Sequence, residues 1–595
     1  MKPYTSREEV AINEKWDLTD IYKDKNDWEK DYQKILDITK ELKSFNGKID
    51  CADRLFHYLS FVEEVKYLYS KLYVFAKLQL DVDTRISSSQ ALVDQAAHLG
   101  QKISAATSFF MPFLLSLNEH TLKDYIKEVK GLQYFEDYLF EAYRYKQYVL
   151  SEEKEEILSQ IGEALSSPKN TFDMINNADI KFGRVTADNG EKVELTRGMY
   201  VKLTESENRE KRKEAYQAYY KPYIQLKNTI ASTLSSAIKN NVLLTNMRGY
   251  PSALEKSLFS DCIPEAVHNN LIQSTKNNIA SLHTYMKIRK EQLNLNELRA
   301  YDLNVSLVKG IKEEISFEEA YETMLKSLQP LGEEYVDTLL TFKEKRYIDV
   351  RETPGKRSGA YNLGLYGVHP FVLLNYQDDL DSLFTLAHEM GHAMHSYYSS
   401  KNQPRISAGY SIFVAEVAST VNEVLLIRYL INHTEDKKLK RYLLNHFLDK
   451  FKGTFFTQVM FSEFEKITHE RAEKGEPLNA EIFNKIYESL FKQYNGKDVV
   501  CDEEVKYGWT RIPHFYRPFY VYKYATGFTS AIHIADRLLD GDKGMLTSYL
   551  TFLKSGSSDF PLELLKKTGV DLVNPEPIRH ALSIFKDLVN EFSSS

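Results

Sequence analysis

Cysteine is scarce in this chain: three of 595 residues, Cys51, Cys262 and Cys501, stand far apart, an odd count with no Cys-x-x-Cys spacing. That excludes a disulfide framework and a cysteine-built metal site, and it suits a reducing compartment. Long hydrophobic runs are missing as well. The most apolar stretch, Phe109 to Leu115, is too short to span a bilayer, and the start, Met1 to Glu9, lacks the apolar core of a signal peptide. Nor is there an excess of positive charge: 77 basic residues face 84 acidic ones, a net charge of -7 that offers no basic field to nucleic acid or to a membrane surface. Neither partner is expected, and the expected location is cytoplasmic.

What is abundant is length and tyrosine. A chain of 595 residues exceeds what one hydrophobic core serves and predicts two or three lobes. The 40 tyrosines are mostly amphipathic core and boundary positions, with a remainder available to line a cleft with hydroxyls. No internal repeat stands out. From about Thr19 to Ile175 the pattern predicts successive long amphipathic helices, for example Leu55 to Leu80, where apolar residues recur every three or four positions. Ile180 to Leu195 alternates and turns at Asn189-Gly190, which predicts a β-hairpin and a natural lobe boundary. Helices resume until about Phe342, and Tyr347–Val350 and His369–Tyr376 then read as strands. Pro370 cannot donate to a ladder, which predicts an edge or strand-start position; an edge strand there would receive a peptide in extended form, a broad-specificity binding mode, or merely close a small sheet.

The stretch His388-Glu389-Met390-Gly391-His392 carries the chemistry. Positions i and i+4 lie on one face of an α-helix, so His388 and His392 can share a metal ion, while Glu389, about 100° round the helix, is directed at a water and not at the ion. The flanks Leu383–Ala387 and Ala393-Met394 make this helix apolar nearly all round, and histidines and a glutamate buried there without partners would cost several kcal/mol, roughly, which a zinc ion and a wet cleft relieve. Glycine in a helix costs about 1 kcal/mol, so Gly391 predicts a close approach by another element. His395 shares the face but sits about 10 Å along the axis from His388, outside the ion's reach. Asp378 or Asp379 is expected to cap the helix.

A catalytic zinc keeps three protein ligands and an open position. The metzincin pattern is excluded, because His395 and Tyr398 stand where it needs Gly and His. The next carboxylates, Glu416 and Glu423, sit on one face of a second apolar helical stretch, Ile412–Ile427. Either would pair with an arginine such as Arg405 or Arg428 if it were not at the metal. Glu416 is expected as the third ligand and Glu423 as the partner that orients a ligand histidine, with the reverse assignment open. The loop from Ser400 to Ser411, with Pro404, Gly409 and Tyr410, joins the two helices and is expected near the cleft.

Three segments together resemble the oligoendopeptidase F branch of the thimet oligopeptidase family of zinc metallopeptidases: Thr385–His395, Phe413–Ser419 with Glu423, and Ile512–Tyr524. The resemblance covers about the last two thirds of the chain. Mammalian-type members have a glycine-rich turn before their substrate-binding tyrosines, whereas this chain runs directly from His514 through Pro518 into an aromatic stretch. The resemblance implies a mostly α, multi-lobed zincin with a small β-sheet beside the active-site helix and a deep channel that admits short peptides. It divides the chain into 1–112, an N-terminal helical region, 113–200, an N-terminal lobe ending in the hairpin, and 201–595, the catalytic domain.

The implied activity is that of a zinc oligoendopeptidase, one Zn2+ per chain, with short peptides as partners. Zinc polarises the scissile carbonyl and acidifies water, Glu389 takes the proton and passes it to the departing amine, and His514 with Tyr520 or Tyr522 stabilises the oxyanion. Tyr520 and Tyr524 fall on one helical face and Tyr522 away from it. The rival readings are a zinc exopeptidase, for which no terminus-binding motif is evident, and a non-catalytic peptide-binding scaffold, against which the intact Glu389 argues.

Overall fold

A computed structural model describes residues 4–310 and 314–595, so the first three residues of the amino-terminal stretch lie outside the described residues. The described chain is mostly helical, with strands confined to small sheets. The elements that matter below are, in chain order, helix α1 (Ala52–Asp81), the hairpin strands β1 (Arg184–Thr186) and β2 (Lys192–Glu194), helices α2 (Arg209–Gln225) and α3 (Glu333–Glu344), strands β3 (Ile348–Arg351), β4 (Tyr361–Leu363) and β5 (Phe371–Tyr376), and helices α4 (Leu380–Asn402), α5 (Ile412–His433), α6 (Thr457–Glu473), α7 (Ala480–Asn495) and α8 (Tyr522–Leu539). The mostly α fold with a small sheet is the one expected. No helix among the described residues is long and apolar enough to cross a membrane.

Two compact units share the chain. One is assembled from residues 1–147, 313–426 and 537–568, the other from 148–312, 427–536 and 569–595. In the first, α1 buries Leu55, Leu59, Val62 and Val65, a three- and four-residue spacing that lays one apolar stripe against its neighbours Lys25–Leu42 and Ser87–Thr107. Each such side chain contributes about 1.5–3 kcal/mol of burial free energy before its entropy is subtracted.

The sheet of this unit has the order β3-β5-β4, with β5 parallel to β3 and antiparallel to β4 in the register Tyr361↔Leu373, Asn362↔Val372, Leu363↔Phe371. The structure decides between the two positions that Pro370 allowed, in favour of the strand start. Pro370 does precede the strand, where its missing N–H costs nothing, but β5 is the middle strand and both its edges are paired. Of the two outer strands, β4 packs against α4. A buried ion cluster ties the sheet to the chain start: Lys356 Nζ is 2.7 Å from Asp349 Oδ1, Arg7 also pairs with Asp349, and Arg351 bridges Glu14 and Asp378, each at 2.8 Å. Asp379, not Asp378, caps α4, accepting the Ser382 N–H at 2.8 Å.

In the second unit the hairpin forms with β1 antiparallel to β2 and Gly190 in the left-handed region at φ +88°, which is why glycine follows Asn189 there.

Candidate active site

Helix α4 is buried along most of its circumference: Leu383, Leu386, Ala387, Met390, Ala393 and Met394 are all inside, against β5, β4 and the helix Lys543–Lys554. Helix α5 is as apolar, with Phe413, Val417, Ala418 and Val421 inaccessible. The two cross at Gly391. A Cβ on that residue would lie 2.6 Å from the Ala418 carbonyl oxygen and 2.6 Å from the Ser419 Cα, so only glycine lets the backbones come this close. Asn422 locks the crossing by donating to the Ala387 carbonyl at 3.1 Å and accepting from the Tyr335 hydroxyl of α3 at 3.0 Å.

This packing brings together residues that the sequence separates. Glu416 Oε2 is 3.6 Å from His388 Nε2 and 3.8 Å from His392 Nε2, and donor atoms of all three residues lie within 4.8 Å of one another. Ligand atoms about 2.0–2.1 Å from a tetrahedral zinc stand about 3.3–3.5 Å apart, so two histidines and one carboxylate at these separations fit such an ion with a position left open. Glu423 is on the other side of the first ring, with Oε1 hydrogen-bonded to His388 Nδ1. The Ala415 carbonyl lies on the side of the His392 ring and acts weakly on its protonation. Each imidazole is turned with Nε2 toward Glu416, and at His388 this is the usual arrangement by which an outer partner orients a metal ligand.

Protonation follows from this crowding. Burial opposes a charge on His388, but the hydrogen bond to Glu423 and the fields of Glu423, Glu389 and Glu416 prevail and raise its pKa. Burial and the neighbouring His388 hold His392 down at about 3. Glu389 is pushed up to about 7, chiefly by burial, with Glu416 and Glu423 adding to the rise and His388 and the Asn362 N–H of β4 opposing it. A carboxyl brought near neutrality is suited to exchange a proton with water.

His395 lies outside the cluster. It is 1% exposed, stacks on Tyr410 with ring centroids 3.7 Å apart, and is held near 3 by burial. Tyr410, from the loop between the helices, is a site residue whose role the sequence did not signal. Its hydroxyl meets Ser396 Oγ at 2.7 Å and the His392 carbonyl at 3.4 Å, and Asn362 of β4 donates to the same Ser396 oxygen at 3.0 Å. Arg405 pairs elsewhere, with Glu63 at 3.1 Å.

The third segment belongs to the second unit. His514, on the short turn Pro513–Tyr516, is partly exposed, and burial with the nearby Arg517 lowers its pKa. Tyr520 lies parallel to its ring at 5.9 Å and Tyr524 edge-on at 6.1 Å, with the Arg517 guanidinium 4.1 Å over Tyr520. Helix α8 starts only at Tyr522, because Phe519 adopts φ +52° and breaks the helical phase. Tyr520 therefore reaches Tyr524 from the lead-in and not as a helical neighbour. Tyr522 is 1% exposed, packed 5.6 Å from the His268 ring, and Tyr516 is stacked on Phe172 with its hydroxyl 2.7 Å from Thr233. Of the tyrosines expected at the site, Tyr520 accompanies His514 and Tyr522 is in the interior.

Comparison with known proteins bears on this arrangement. The model of peptidase family M3 matches residues 202–584, and the oligopeptidase F model matches residues 114–182. Oligopeptidase PepF of Bacillus subtilis is 42% identical over 98% of this chain and 88% of its own length. A solved chain from Chlamydophila abortus, 34% identical, superposes over 99% of both chains with a TM-score of 0.91. The oligoendopeptidase F structure from Enterococcus faecium, 35% identical, covers 96% of this chain and 99% of its own with a TM-score of 0.75. The chain belongs to peptidase family M3, in its oligoendopeptidase F branch, and is a metalloendopeptidase.

Proposed function

We propose that the protein is a zinc-dependent oligoendopeptidase that cleaves internal bonds of short unfolded peptides, with His388, His392 and Glu416 holding the metal and Glu389 as general base. The observation that carries the reading is the meeting of three donor atoms around one point, with the buried carboxyl of Glu389 on the helix that supplies both histidines. A bound zinc ion would supply Lewis acidity and bring the pKa of water toward neutrality. Glu389 accepts the proton of the attacking water and returns it to the departing amine. Glu423 fixes the tautomer of His388 so that Nε2 is free to ligate. The outer strand β4 can offer main-chain groups to an extended substrate, which suits cleavage without strict side-chain preference.

His514 and Tyr520 are the proposed donors to the developing oxyanion, supported by their pairing with each other and with Arg517. Tyr520→Phe is expected to lower kcat by about 10²-fold with KM little changed; an unchanged kcat moves the role elsewhere. The three cysteines form no disulfide among the described residues, which suits the cytoplasm.

The deciding experiment uses an internally quenched peptide blocked at both ends, beside metal analysis of wild type, His388→Ala and Glu416→Ala. Cleavage at an internal bond and stoichiometric zinc, lost in both variants, are expected. An intact blocked peptide refutes the endopeptidase reading, and full zinc in Glu416→Ala shifts the third ligand, with Glu423 next in line.

A further inference from the structure

The second unit contains a cavity of about 190 Å³ whose lining includes Arg511, Lys452 and the tyrosines 200, 216, 220 and 487. Among the described residues no carboxylate lines it. Its two cations are unequally provided for. Lys452 lies 3.2 Å from Asp449, a carboxylate it shares with the fully buried Arg289 at 3.0 Å. Arg511 has no such partner: its hydrogen bond is from Nε to the Tyr220 hydroxyl at 2.9 Å, and the titratable groups nearest its charge are the phenols of Tyr220, Tyr487, Tyr200 and Tyr219. The side chain keeps some accessible surface, as a cavity-lining group should; burial opposes its charge, and the surrounding phenols outweigh burial and raise its pKa above the ordinary arginine value.

The hydroxyls around it are donors in want of an acceptor. Tyr220 is 5% exposed, and because its oxygen accepts from Arg511 its own hydrogen is left to give. Tyr216, one helical turn earlier on α2, is 4% exposed and its hydroxyl has no hydrogen-bond partner. A guanidinium lining a cavity with no carboxylate partner among the described residues has room for a counter-ion, and a buried hydroxyl without an acceptor is a cost at the same place. One negative charge in the cavity answers both. Its volume leaves room for a small ion together with its hydration.

We propose that this cavity binds a small inorganic anion, held by the Arg511 guanidinium and by the hydroxyls of Tyr216 and Tyr220. Arg511 ends the turn Val505–Arg511, and Pro513–Tyr516, which carries His514, follows directly. The anion thus anchors the base of that segment, and the site goes beyond the peptidase reading, since it uses none of the metal-binding residues.

Bromide is the probe. A crystal soaked in bromide is expected to show an anomalous peak in the cavity in contact with Arg511. At constant ionic strength, replacing gluconate by bromide at about tenfold over its dissociation constant is expected to raise the thermal midpoint by about 2 °C. Arg511→Gln should abolish that rise, and Tyr216→Phe, which keeps charge and shape, should weaken bromide binding several-fold and serves alone if the arginine variant does not fold. Phosphate producing the same Arg511-dependent rise supports the site with an oxyanion as occupant. An empty cavity after the soak, equal midpoints in the two salts, or a rise that Tyr216→Phe leaves untouched overturns the proposal.

Discussion

On α4 and α5, three carboxylates, Glu389, Glu416 and Glu423, are gathered around two histidines, whereas the cavity beside Arg511 is walled by phenols and two cations and no carboxylate among the described residues. Both clusters are at least partly withdrawn from solvent, so the imbalance matters. In the first, burial, with Glu416 and Glu423 adding to it, pushes Glu389 up to about 7, and the hydrogen bond to Glu423 and the neighbouring carboxylates raise His388 against its burial, the electrostatic preparation of a place for a cation. In the second, hydroxyls and a guanidinium converge with no carboxylate in the lining among the described residues, Asp502 and Glu504 acting on Tyr216 from outside it. Buried polar groups have to be paired, and where the protein's own side chains leave a surplus of one sign the surplus indicates what the site is built to hold.

The comparison is broken most severely at Glu389. Glu389→Gln keeps the shape and the ligands but removes the base, so kcat should fall by about 10²–10⁴-fold while metal analysis still finds one zinc per chain. Retained turnover would mean that the carboxyl cluster serves the ion alone. Next comes the contact that creates the cluster. Gly391→Ala drives a methyl group into the backbone of α5, which cannot yield as a side chain could, and should destabilise the first unit by about 1–3 kcal/mol and weaken zinc binding with it. Unchanged denaturant midpoints and zinc affinity would show that the helices can separate freely.

Glu423→Gln tests whether the second carboxylate acts through His388. Zinc affinity measured by chelator competition should fall about 10–100-fold, with the ligand set intact; an affinity equal to wild type removes Glu423 from the metal's surroundings. The smallest effect is expected on the cationic side. Tyr220→Phe deletes the acceptor of the Arg511 Nε–H and should cost about 1 kcal/mol in equilibrium unfolding, an effect confined to the second unit. If that variant lowers zinc occupancy instead, the two clusters are not independent.

Much of the candidate metal site was legible because its logic is local. His388 and His392 are one turn apart whatever surrounds them, Glu389 is fixed in angle relative to them, and two glutamates in an apolar helix stand out without any knowledge of what the helix touches. Even Gly391 announced a close approach, although not that α5 makes it. Tyr335, Asn422 and Asn362 were not legible, and of Tyr410 only its loop near the cleft was, not its role. Each acts through a partner set by packing, such as the Ala387 carbonyl for Asn422 or Ser396 for Tyr410, and nothing in the surrounding residues marks them. The strand at His369–Tyr376 shows the same limit. Its composition predicted a strand and Pro370 its beginning, but whether a strand is central or at an edge depends on which other strands join it, and β3 and β4 both did.

The sequence by itself carried the family resemblance in three motifs, the expectation of a helical fold and the candidate metal-binding residues, because motifs, periodicity and spacing are written along one stretch of chain and survive whatever the rest does. Tertiary structure decided that Glu416 meets both Nε2 atoms while Glu423 meets the Nδ1 of His388, that Tyr520 and not Tyr522 accompanies His514, and that Arg511 lies among tyrosines without an acid. Those outcomes depend on crossing geometry, on one residue with φ +52° at Phe519, and on contacts between residues hundreds of positions apart, none of which a local pattern can encode.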